Sequence, residues 1–185
     1  MNILELNNSI KIRNQFIFNS INVLLPEVKT AFGYNDINAK KFIASICKLI
    51  TFWFEAYYKN LFSYDVISFL RKCVNEGIIR KEDAYLNESL GFYDGIFQKS
   101  FAEKFNINAT GMNNYKNFII WALKQKEFVG TLRIINSKET GKHSLIVYKQ
   151  NNSLFISDTS SRGIGVPFEK FINEKNFIYF TSLCK

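Results

Sequence analysis

His143 and Asp158 are the two side chains of this sequence whose types and spacing could do chemistry together. They bracket the stretch HSLIVYKQNNSLFISD, in which two β-prone runs are joined by Gln150-Asn151-Asn152-Ser153, a good hairpin turn. If Asn151 and Asn152 form the tip, residue 150 faces 153, 145 faces 158 and 143 faces 160. His143 and Asp158 then share one face of the sheet as diagonal neighbours, with Cβ atoms about 7 to 8 Å apart. A carboxylate that accepts a bond from one imidazole nitrogen fixes the tautomer and leaves the other nitrogen free to act as a base. The polar run Thr159-Ser160-Ser161-Arg162-Gly163-Ile164-Gly165 that follows could line a cleft. The plainer reading is that a histidine opening a strand is structural or exposed, and that an aspartate before Thr-Ser-Ser is a turn residue.

The elements that must carry this pair follow from periodicity. A helix is expected from about Ile10 to Leu24, stopping before Pro26. The segment FGYNDIN reads as a loop into a second helix, capped by Asp36 or Asn38. In that helix Phe42, Ile43, Ile46, Leu49, Ile50, Trp53, Phe54 and Tyr57 recur at three- and four-residue spacing, one broad apolar stripe that marks the central packing element. Ser63 is a candidate cap for a helix through Val74 that ends at Gly77. Helical pieces are expected over Asp94 to Phe105 and Asn114 to Lys124. Beyond that the period changes to short strands, Phe128 to Ile135, His143 to Lys149, Leu154 to Asp158 and Phe177 to Thr181, with a short helix near Pro167 to Ile172. The expected fold class is α+β: a long buried central helix packed on a C-terminal antiparallel sheet of at least three strands. Residues 1–185 read as one domain, mainly helical over 1–126 and β-rich over 127–185, since no repeat or linker-like tract interrupts them.

Composition narrows the function classes. A chain of 185 residues can bury roughly 70% of its unfolded surface without a covalent staple. Its three cysteines, Cys47, Cys73 and Cys184, include no CxxC pair and have one histidine beside them, which argues against a metal site; no cofactor is expected. The opening MNILELNNSIKIRNQ does not read as a signal peptide, and no apolar run approaches the roughly 18 residues of a membrane span. Cytoplasm is the default expectation, with no membrane partner. The net charge of +8 invites a nucleic-acid hypothesis, but the basic residues are dispersed and interleaved with Glu82, Asp83 and Glu127. The aromatic residues Trp53, Phe54, Tyr57 and Tyr58 sit at helical spacing and read as core before they read as a base-stacking platform.

A helical first half, then a histidine opening a strand, then an acid near the end of the next strand resembles the papain-like cysteine peptidases. FISDTSSRGIGVPFEKF looks most like the branch of small bacterial peptidases that process bacteriocin leaders. The resemblance covers Asn35 to Glu76 and Lys142 to Ile172. It implies that His143 is the general base and Asp158 its orienting partner, acting on a peptide or protein. It also implies a nucleophilic cysteine in the first turn of the central helix, where free amides and the helix dipole stabilise a thiolate. That turn is expected at Asn38-Ala39-Lys40-Lys41, which holds no cysteine. Cys47 would then lie nearly two turns inside, on the apolar stripe, where burial raises its pKa. Asn35 or Asn38 could replace the family's oxyanion glutamine.

Three readings are thus open. The leading one is a degenerate member that keeps the scaffold and serves as a binding or regulatory module. The alternative is an active thiol peptidase or amidase, with Cys47 brought to His143 by a helix that starts later. The third is a basic α+β nucleic-acid-binding or interaction protein.

Overall fold

The computed structural model describes residues 20–80, 85–86, 102–135, 141–158 and 164–185. Within them the chain is α+β. The helices are α1 (Ser20–Phe32), α2 (Asp36–Ser45), α3 (Cys47–Tyr58), α4 (Val66–Asn75) and α5 (Tyr115–Lys124). The strands are β1 (Ile79–Arg80), β2 (Tyr85–Leu86), β3 (Asn108–Met112), β4 (Phe128–Ile135), β5 (Lys142–Gln150), β6 (Ser153–Ser157), β7 (Ile164–Pro167) and β8 (Phe177–Cys184). A six-stranded sheet runs in the order β3-β8-β4-β5-β6-β7 with every pair antiparallel, while β1 and β2 pair separately.

Several expected boundaries move, each for a local reason. The expected central helix is two helices. Its stripe continues in phase through the junction, but Ile46 sits at φ −87° and ψ 13°, so α2 ends at Ser45 and α3 begins at Cys47. Asn35, and not Asp36 or Asn38, caps α2, its side chain accepting from the Asn38 amide at 2.8 Å. Asp65 takes the capping place proposed for Ser63, accepting from the Ser68 amide at 2.9 Å. Pro26 lies inside α1 instead of ending a helix before it. The expectations for residues 10–19, 94–101 and 159–163 lie outside the described residues. Two strands of the large sheet, β3 and β7, were not foreseen. The hairpin, in contrast, has the expected register, with Gln150 opposite Ser153 and Ile146 opposite Ser157. Its tip residues Asn151 and Asn152 take φ values of 48° and 61°, the left-handed pair that a two-residue turn requires.

The sheet separates two cores by the alternation of its side chains. Leu132, Ile134, Leu145, Val147, Ile156 and Phe180 pack on Phe118 and Ala122 of α5. The other face gives Val129, Ile146 and Tyr148 to the helical half, where they join Phe42, Ile46, Leu49 and Phe52. The approach of β4 to β8 is tight at Gly130, where a Cβ would stand 2.4 Å from the Phe180 ring and 2.7 Å from the Thr181 carbonyl oxygen.

A polar staple fixes α3 on this sheet. Glu55 is fully buried, accepts from Lys59 Nζ and from the Leu183 amide at 2.7 Å each, and accepts from Thr131 Oγ1 at 3.2 Å. Lys59 Nζ also donates to Ser182 Oγ and to the Leu183 carbonyl. Burial pushes the Glu55 carboxyl up, against the pull of Lys59. The staple binds the last turn of α3 to β8 and β4, which sets where its first turn falls.

Candidate active site

The first residue of α3 is Cys47, so the cysteine expected deep inside a continuous helix stands at a helix start. No side chain caps this turn. The first turn of a helix is a setting that favours a thiolate, although here only Ile46 separates it from the end of α2. Cys47 is half-buried as a residue.

His143 lies at the start of β5, opposite Ile134. Its Nε2 stands 2.6 Å from Asp158 Oδ1, and the aspartate is wholly buried directly after β6. An ionised carboxylate can only accept, so Nε2 donates and Nδ1 is the nitrogen left for the thiol. The imidazole also hydrogen-bonds Cys47. Strict alternation assigns His143 to the side of Leu145 and Val147, whereas α3 packs on the opposite face. At this end of the sheet β5 continues back to Lys142, beyond the last β5·β6 pair at Ile146·Ser157. There the Ser144 backbone amide is hydrogen-bonded to Cys47.

The electrostatics of the three groups are coupled. Burial pushes the Cys47 thiol up. The hydrogen bond and charge of His143, the charge of Arg133 and the Ser144 amide outweigh this and hold it below the ordinary thiol value. Burial pulls the His143 imidazole down, but its bonds to Asp158 and Cys47 raise it to about 9. Both shifts favour the same pairing, a thiolate beside an imidazolium oriented by a carboxylate.

The structure thus brings together Cys47, His143 and Asp158. It leaves the other two cysteines apart: Cys73 is buried in α4, where burial pushes its thiol well up, and Cys184 is exposed at the end of β8. Asn35 is occupied in capping α2. Two residues that sequence reasoning passed over, Arg133 and Ser144, also belong to the surroundings of Cys47. Their only sequence signal was position, since Arg133 and Ser144 face each other across β4 and β5. A cavity of about 370 Å³ lies among Tyr57, Asn60, Phe62 and Ser63, and none of the three site residues lines it. Among the described residues no helix is long and apolar enough to cross a membrane, and no three metal-ligating side chains gather. Comparisons with protein-family models, curated proteins and solved structures found no match.

Proposed function

We propose that this chain is a thiol hydrolase of the papain-like kind that cleaves peptide or isopeptide bonds, with Cys47 as nucleophile, His143 as proton shuttle and Asp158 as its orienting partner. The observation that carries this reading is the hydrogen-bonded series Cys47–His143–Asp158 beginning at the first residue of a helix. Cys47 at a helix start, instead of two turns inside one, supports this reading over that of a degenerate scaffold.

In the proposed reaction the Cys47 thiolate attacks the carbonyl carbon, and the developing oxyanion is stabilised by the uncapped amides at the start of α3. The C–N bond breaks as the His143 imidazolium gives its proton to the leaving amine, which leaves a thioester on Cys47. Neutral His143 then takes a proton from water. The hydroxide so generated attacks the thioester, the C–S bond breaks, and thiolate and imidazolium are restored together with a carboxylic acid product, which loses its proton to solvent. Asp158 keeps Nδ1 aimed at the sulfur throughout and stabilises each imidazolium.

Mass-spectrometric mapping after brief exposure of the folded chain to iodoacetamide at pH 7 tests the reading. Cys47 should be alkylated well ahead of Cys73 and Cys184, and His143→Ala should slow it towards the rate of a free thiol. Equal, slow modification of all three cysteines would end the hydrolase proposal and leave a binding or regulatory module. Retention on heparin beyond about 0.2 M salt would instead favour nucleic acid as the partner.

A further inference from the structure

Arg133 is 4% exposed, and among the described residues no carboxylate pairs with it. Its Nη1 donates to Ser144 Oγ at 2.8 Å, while its buried Nε has no hydrogen-bond partner among the described residues. A buried guanidinium is costly to hold in a protein interior without a negative charge nearby. Among the described residues the Cys47 sulfur feels the Arg133 charge and is hydrogen-bonded by the amide of the same Ser144.

We propose that Arg133 is a positioning residue of this site: a buried cation that clamps the Ser144 segment of β5 against Cys47 and serves as a second counter-charge for the sulfur beside His143. The role rests on the thiolate reading of Cys47, but not on hydrolysis. Arg133 comes from β4, His143 from β5, and Asp158 follows β6 and acts through His143. On α3 itself Lys48 is buried next to Cys47, with its ammonium 5.5 Å from the Tyr179 ring of β8. The Arg133 side chain is bonded to Ser144, whose amide also bonds the sulfur. Serine at 144 contributes twice, its hydroxyl holding the guanidinium and its amide holding Cys47.

The test is the pH dependence of Cys47 alkylation by iodoacetamide in the intact chain, with folding checked by circular dichroism. Arg133→Met should move the acid limb to higher pH, so that labelling at pH 6 falls roughly three- to tenfold. The limiting rate above pH 9, where the thiolate is fully formed in both proteins, should stay within about twofold. A merely structural arginine would change the melting temperature or the limiting rate and leave the limb in place. A folded Arg133→Met protein with an unmoved limb overturns the proposal. Should that variant not fold, Ser144→Ala decides. Loss of the hydroxyl should shift the limb in the same direction by a smaller amount, and no shift overturns the proposal. Slow labelling of Cys47 in the unmodified chain would remove the thiolate itself, an outcome distinct from failure of Arg133.

Discussion

Asp158 Oδ1 and His143 Nε2 are 2.6 Å apart, and the carboxylate is wholly buried while the imidazole keeps a little exposure. The short contact makes Asp158 the first support of the imidazolium and spares the other ring nitrogen for Cys47.

Replacing Asp158 with Asn keeps the shape and removes the charge. The His143 imidazole should fall from about 9 towards the ordinary histidine range. Alkylation of Cys47 at pH 7 should slow about tenfold or more, because the thiolate loses a stable imidazolium partner. Titration of the His143 ring by NMR in the two proteins checks the shift directly, and an unchanged midpoint would contradict the assigned role.

The same pair predicts how activity and stability respond to pH. His143 has a raised folded value, so its contribution to stability is fully present below about 6.5 and is lost as pH rises through about 9. Cys47 has a depressed value, so its contribution is present above the ordinary thiol value and is lost as pH falls through the folded one. The ion pair is therefore strongest between the folded value of Cys47 and about 9. Hydrolysis should fall above about pH 9 as the proton donor is lost, while alkylation should persist there. The decline in melting temperature between pH 8 and 10 should be shallower in His143→Ala, as thermal scans would reveal.

Glu55→Gln tests the staple. The substitution strips the negative charge from Lys59, whose ammonium is mostly buried, and should cost about 3 kcal/mol in urea unfolding. A loss below about 0.5 kcal/mol would mean that the carboxyl is already neutral in the folded chain. Because the staple aligns α3, Cys47 labelling should also slow.

Gly130→Ala should destabilise by about 1 to 3 kcal/mol, since the added methyl meets both a ring and a backbone oxygen and neither has room to retreat. Chemical denaturation measures the loss, and a neutral result would show that β4 and β8 can part at this point.

The β half was the more legible in the sequence. Alternation gave β4, β5 and β6 to within a residue or so, and the Asn151-Asn152 tip set the register that places His143 near Asp158. The cysteine was misread because a one-residue break at Ile46 leaves the apolar stripe in phase. Periodicity reports which side of a helix is buried and is blind to where its hydrogen bonding restarts. Pro26 misled in the opposite way, as a helix breaker accommodated within α1. Arg133 was illegible because its significance depends on which residue it faces across the sheet.

The hairpin that supplies both imidazole and carboxylate is one continuous piece of backbone, whereas the sulfur arrives on a separately packed helix. A breathing motion that lifted α3 from the sheet would strand the thiol without its base yet leave the His143·Asp158 bond untouched. Reactivity at Cys47 would then report the docking of the helical half, and it would fade before the β hairpin lost any of its own structure.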